Sequence, residues 1–214
     1  MNYNVLTHSA ILINEEIYID PFNIEPSELK AKFIFITHPH YDHLSEKDII
    51  KVCTSATIFI CPPDCSPQLL NIGIEKNKIF EVEPNASYDI KGLKFQTIAA
   101  YNVNKKFHPK ENDWVGYIIE VEQKKLCILG DTDLNEDNKK VKCDILFIPI
   151  GGTYTLNLEE ALELTKIINP KIAVPTHYGS IVGDKKLGEK FEKGLKNSDI
   201  KVELFIWFLY IFCQ

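Results

Sequence analysis

Histidine is scarce in this chain, six in 214 residues, and several larger features are missing altogether. There is no basic excess: the formal net charge is -6, which argues against the broad phosphate-binding surface that nucleic-acid partners require. No nucleic-acid partner is therefore expected. There is no apolar run of the roughly 20 residues that a membrane span needs; the longest, Leu204 to Cys213, is about half that. It fits a buried strand at its start, followed by a sticky tail, a membrane-surface contact or a contact within a homo-oligomer. The opening Met1-Asn2-Tyr3-Asn4-Val5 has neither a charged n-region nor a long apolar one, so no signal peptide is expected and the cytoplasm is the expected location. The six cysteines do not suggest a disulfide framework in a chain of this length without an export signal. Cys53, Cys127 and Cys143 read as small buried hydrophobes. Cys61 and Cys65 lack the second pair that a zinc knuckle would need. No repeat, low-complexity tract or Gly/Ser-rich linker divides the chain, so one domain over 1–214 is expected, with an apolar tail from about residue 204.

What is present is a chain with enough apolar residues for a substantial core, 45% hydrophobic and 11% aromatic. Short Ile-, Val- and Phe-rich runs predict strands over Val5–Ile13, Glu16–Ile19, Phe33–Ile36, Thr57–Cys61, Ile79–Val82, Leu93–Ala99, Val115–Val121, Lys125–Leu129, Ile145–Pro149, Ile172–Thr176 and Lys201–Ile206. Asn14-Glu15 and Gln123-Lys124 are hairpin-length breaks. Helices are predicted from a capped start at Ser45 to Val52, from Asn157 (a cap-like Asn with Glu160 three residues on) to Asn169-Pro170, and over Lys185–Lys196. Strands first, then alternating helix and strand, predict sheets covered by outer helices, an α/β sandwich. In such layouts functional residues gather where strands end.

Three of the six histidines fall in Thr37-His38-Pro39-His40-Tyr41-Asp42-His43. Neutral imidazole and carboxylate suit a borderline divalent metal. Four such side chains are more than one ion needs, so the run suggests two metals, and paired metals suggest hydrolysis. His38 and His40 are spaced to serve one ion, while Asp42 and His43 serve a second; the alternative is a polar surface loop. Asp131, in Leu129-Gly130-Asp131-Thr132-Asp133, is placed to bridge two cations or to form a turn. Asp133 reads as a turn residue or one standing behind the ligands. His177, after Ala173-Val174-Pro175-Thr176, is a ligand candidate for the second ion. His108 is either a further imidazole for the first ion or a surface loop residue. Asp20 is placed behind the ligands, accepting an imidazole N–H; His8 either joins it there, lining the pocket, or satisfies the core. Tyr154 and Tyr178 are candidate substrate contacts or packing residues.

The order His38-x-His40-x-Asp42-His43, then Gly130-Asp131-Thr132, then His177, resembles the metallo-β-lactamase superfamily. The pieces Thr7-His8-Ser9-Ala10, Ile19-Asp20-Pro21-Phe22, Pro149-Ile150-Gly151-Gly152-Thr153-Tyr154 and Val174-Pro175-Thr176-His177-Tyr178-Gly179 look like its branch of uncharacterised metal-dependent hydrolases, near the ascorbate-6-phosphate lactonase and the N-acylphosphatidylethanolamine phospholipase D. The resemblance implies an αββα sandwich of two mixed sheets with helices outside and metals at one edge. It implies His38, His40, Asp42, His43, Asp131 and His177 as ligands, with His108 the less direct match. The expected activity is a hydrolase of a small ester, lactone or phosphodiester. Hydroxide activated by two divalent ions would be its nucleophile, zinc being expected and manganese or iron also suited. Asp42 and Asp131 are the catalytic carboxylates in that reading. A non-catalytic metal-binding or sensing domain is the alternative, and a nuclease the weaker third.

Overall fold

The structure is a computed structural model, and it describes residues 1–205. Two mixed sheets face each other. The first runs, in spatial order, β1 (Tyr3–Thr7), β2 (Ala10–Ile13), β3 (Ile17–Ile19), β4 (Phe33–Phe35), β5 (Ile58–Cys61) and β6 (Ile79–Glu81). Its first three strands are antiparallel and the rest parallel. The second sheet holds β7 (Ser87–Ile90), β8 (Leu93–Ala99), β9 (Val115–Val121), β10 (Lys124–Ile128), β11 (Ile145–Pro149), β12 (Ile172–Thr176) and β13 (Lys201–Val202). It is antiparallel up to β10 and parallel beyond.

The alternation of side chains along a strand explains the layering. In β4 and its continuation, Phe33 and Phe35 enter the core between the sheets, while Ile34 and Ile36 enter the core under the helices. The inter-sheet core joins Phe35 and Ile60 to Phe95, Tyr117 and Phe147. Helices α1 (Glu46–Val52) and α2 (Ser66–Asn71) cover the first sheet through Ile49, Val52 and Leu69. Helices α3 (Leu158–Ile168) and α4 (Leu187–Leu195) cover the second through Ala161, Leu164 and Phe191. The result is the four-layer αββα sandwich, in which β2 to β5 and β11 are buried on both faces and therefore almost continuously apolar. No helix among the described residues is long and apolar enough to cross a membrane.

Several local expectations are corrected. Val5–Ile13 is two strands, not one: the chain reverses at His8-Ser9, with His8 at φ +42°. The β9–β10 turn is Glu122-Gln123, both left-handed, one residue earlier than expected. Asn14-Glu15 does form the β2–β3 turn. Ser45 precedes α1 but its hydroxyl does not cap it; it donates to Asp48 Oδ2 at 2.6 Å. Asn157 does cap α3, in a reciprocal box with Glu160. The predicted final strand pairs only over Lys201–Val202; Ile206 and the rest of the apolar run lie outside the described residues. Cys53, Cys61, Cys65, Cys127 and Cys143 are free thiols; Cys127 is buried as expected, whereas Cys53 and Cys143 are only partly buried.

Candidate metal centre

One edge of the sandwich collects the ends of β3, β4, β8, β10 and β12 together with the β1–β2 turn. These deliver Asp20, the His38–His43 run, His108, Asp131, His177 and His8 respectively. The two sheets are stitched together there. Tyr117 Oη donates across the gap to the Ile36 carbonyl at 2.7 Å, and the Val115 N–H reaches the Thr37 carbonyl at 3.3 Å. Gly130 makes the approach possible: a Cβ at its φ of +65° would lie 3.1 Å from the Val115 carbonyl and 3.2 Å from Thr37 Cβ. Asp131 is thereby set beside the histidine run.

The side-chain atoms converge without bonding one another well. His38, His40 and His108 form one group whose ligand atoms lie within 4.8 Å of each other; His8, Asp42, His43 and His177 form a second. Asp131 lies between them. Its Oδ1 is 3.3 Å from His43 Nε2, and its Oδ2 is 3.3 Å from His108 Nε2 and 3.1 Å from His177 Nε2. Despite these separations, Nε2 of His8, His43, His108 and His177 and Oδ1 of Asp131 are buried with no hydrogen-bond partner. Orphaned buried polar atoms are costly, and so many in one place require an explanation. Two atoms bound at about 2.0–2.1 Å to a tetrahedral zinc ion lie about 3.3–3.5 Å apart. The observed spacings of 3.1 and 3.3 Å lie close to that edge, so the donor set fits divalent metal.

Other side chains point these donors inward. Asp20 accepts from the Thr37 N–H (2.8 Å), the Thr37 hydroxyl (2.7 Å) and His43 Nδ1 (2.7 Å). With its proton spent on Asp20, the Thr37 oxygen is free to accept from His38 Nδ1 at 3.0 Å. Asn102 Oδ1 accepts from the His108 backbone and from its Nδ1. Each contact leaves Nε2 as the lone-pair nitrogen. Trp114 lies against His38 and His40, with centroids 5.0 and 4.9 Å away, and donates from Nε1 to Asp64 Oδ2 at 2.6 Å.

The electrostatics follow. Burial pulls His38 well below the ordinary imidazole value, and His8 down to about 4. His177 is also desolvated, but Asp131 and Asp42 outweigh that and hold it raised to about 8. Burial would raise Asp42 and Asp131; the imidazoles around them prevail, and both carboxyls sit well below the usual carboxylate range.

The structure thus brings together His38, His40, Asp42, His43, His108, Asp131 and His177. Asp20 stands behind His43, while His8 lies within the second group itself. Asp133, buried, anchors the 103–105 segment through the Val103 N–H (3.0 Å) and the Lys105 ammonium. Tyr154 stacks edge-on against Phe107 at 4.6 Å, and its carbonyl accepts from Asn102 Nδ2 at 2.9 Å. Tyr178 is buried against Gly188 of α4 and lines a cavity of about 500 Å³ with His8, Phe22 and Ser180. Asn102, Trp114, Asp64 and Ser180 escaped the sequence reading. Trp114, one of only two tryptophans, just before a strand, was the one available signal.

Residues 4–177, from the first strand to the last ligand candidate, match the family model described as a beta-lactamase superfamily domain. A UPF0173 protein of Pyrococcus abyssi is 31% identical over 192 residues, covering 86% of this chain and 87% of the relative. A protein of Thermoplasma acidophilum named a UPF0173 metal-dependent hydrolase is 27% identical, covering 84% of each. A crystal structure from Parabacteroides distasonis superposes with a TM-score of 0.82 at 29% identity, covering 94% of this chain and 91% of that one. With its αββα layers and its edge cluster of histidine and aspartate, the chain belongs to the metallo-β-lactamase superfamily.

Proposed function

We propose that the protein is a metal-dependent hydrolase that uses two divalent ions on a small ester, lactone or phosphodiester. One observation carries this reading: four buried imidazole nitrogens and an Asp131 oxygen aim at common points and bond to nothing else. The Thermoplasma relative's name supports the hydrolytic class. His38, His40 and His108 would hold one ion; Asp42, His43 and His177 the other; Asp131, whose carboxylate lies beside His108, His43 and His177, would serve both. Zinc suits these donors, as do manganese and iron. Such ions, when bound, polarise an electrophilic oxygen and bring water within reach of ionisation near neutral pH.

The chain's own residues do the rest. Asp42 faces both His8 and His177, at 3.3 and 3.7 Å. It is placed to orient the attacking water and to carry its proton towards the departing oxygen. Asp131 keeps the two donor groups in register. Tyr154, at the rim beside Phe107, is positioned to donate to the substrate, and Tyr178 lines the cavity behind His8. The test is metal analysis of the purified protein coupled to a screen of phosphodiesters, lactones, esters and thioesters. We expect two equivalents of metal and turnover of one class, with turnover lost in Asp42→Asn while some metal is kept. Metal binding with no turnover of any class would replace this reading with a non-catalytic metal-binding domain.

A further inference from the structure

We infer that His8 is itself a metal ligand, an imidazole added to the Asp42, His43 and His177 set. The inference rests on reading the cluster as a metal centre. His8 is fully buried, and its Nε2 lacks a hydrogen-bond partner although Asp42 Oδ2 is only 3.3 Å away. That separation matches the edge between two atoms sharing an ion, about 3.3–3.5 Å. A residue serving only to orient Asp42 would instead aim its N–H along the line to the carboxylate.

The build of His8 repeats that of three of the other ligand candidates. His38, His43 and His108 each tie Nδ1 to a neighbouring side chain, Thr37, Asp20 and Asn102, and turn Nε2 to the cluster. His8 does the same: Nδ1 meets Ser180 Oγ at 3.1 Å, and Nε2 lies in the group with Asp42, His43 and His177. Its backbone is also held for the purpose. His8 sits at φ +42°, a region few non-glycine residues adopt, and its carbonyl accepts from the His177 N–H at 3.0 Å. The two rings are brought to a centroid distance of 3.9 Å. One backbone hydrogen bond thus brings two imidazoles from opposite sheets up to Asp42 Oδ2, at 3.3 and 3.7 Å.

The consequence is asymmetry. The ion beside His8 would have one more protein ligand than its neighbour and would be the harder of the two to remove. The test uses full-length protein loaded with zinc. His8→Asn keeps a residue that tolerates the left-handed backbone while removing the imidazole, and Ser180→Ala removes only the outer contact. Zinc affinity is read by chelator competition, imidazole count by X-ray absorption, and folding by circular dichroism. In His8→Asn we expect one of two zinc equivalents to weaken about a hundredfold or more, at or above the cost of losing an outer hydrogen-bond partner, with one fewer imidazole scatterer per pair of ions. Ser180→Ala should keep the imidazole count. A folded His8→Asn protein with unchanged affinity and unchanged imidazole count would overturn the assignment. Absence of zinc from the unaltered protein would overturn the centre as well.

Discussion

Asn102 holds His108 with a single oxygen: its Oδ1 accepts the His108 backbone N–H at 3.0 Å and the ring Nδ1–H at 2.9 Å. The Asn102 N–H closes the ring by donating to the His108 carbonyl at 2.8 Å. The intervening residues fold back, so an imidazole six positions beyond Asn102 returns to the strand end where Asn102 itself stands. Accepting a backbone N–H identifies that atom as oxygen, so the ring proton is on Nδ1 and Nε2 carries the lone pair.

Asn102→Ala should therefore loosen one ion more than it loosens the fold. Loss of an outer partner of a metal-binding histidine costs about 10–100-fold in metal affinity. The accompanying loss of stability should be about 1 kcal/mol per hydrogen bond removed. Chelator competition and denaturant titration of the same preparation separate the two. An unchanged zinc affinity would show that His108 needs no such support.

Most of the clustered candidate residues were legible in the sequence because their signal is local. His38, His40, Asp42 and His43 share one short loop after a strand that is apolar on both faces, and Asp131 and His177 each follow such a strand directly. Strands β8, β9, β11 and β12 were legible for the same reason, being dense in Ile, Val and Phe. The elements that were missed carry no such pattern. Strand β7 is Ser87-Tyr88-Asp89-Ile90, an edge strand only one of whose residues is buried. Helix α2 is six residues long and follows a proline-rich turn. Trp114 and Ser180 meet His38, His40 and His8 only once two sheets have closed on each other, and Asn102 meets His108 only once their shared loop folds back; nothing in loop composition announces either.

Gly151 is the spacer beneath His177. A Cβ there would collide with the His177 carbonyl oxygen and lie 2.7 Å from Val182 Cγ2. Backbone on one side cannot yield, so Gly151→Ala must displace the His177 loop. Overpacking of this kind costs about 1–3 kcal/mol, and here the strain falls on a ligand candidate. Reduced zinc content together with a lowered unfolding midpoint is the expected pair of results. Full zinc content at wild-type stability would show that the loop can shift without cost.

Asp48 should make the protein acid-sensitive. It is fully buried and accepts from the Asn23 N–H (2.8 Å), the Ser45 hydroxyl (2.6 Å) and the Lys51 ammonium (2.7 Å), tying α1 to the loop after Asp20. Burial alone would raise its carboxyl, but Lys51, Ser45 and Asn23 prevail and hold it below the ordinary range. A depressed folded-state value stabilises at and above the unfolded value, about 3.9. That contribution is lost as pH falls through the folded-state value. Metal-free protein should therefore lose stability below about pH 4, and Asp48→Asn should flatten that loss while costing about 1–3 kcal/mol at neutral pH. Identical acid unfolding curves for the two proteins would remove Asp48 from the account.

Asp20→Asn tests whether ring orientation or mere packing sets the donor state of His43. Asn is nearly isosteric and tolerates the φ of +44° found at Asp20, so the backbone should survive the change. Its oxygen can still accept from the Thr37 N–H, now made to Oδ1. Its amide, however, would present a donor where Oδ2 accepts from His43 Nδ1 at 2.7 Å. Two donors cannot face each other, so the His43 proton moves to Nε2, the nitrogen turned to Asp42 and Asp131. A protonated Nε2 has no lone pair to give. Zinc affinity should fall by about 10–100-fold with a much smaller change in the unfolding midpoint. Retained affinity would mean that His43 presents the same nitrogen without instruction from Asp20.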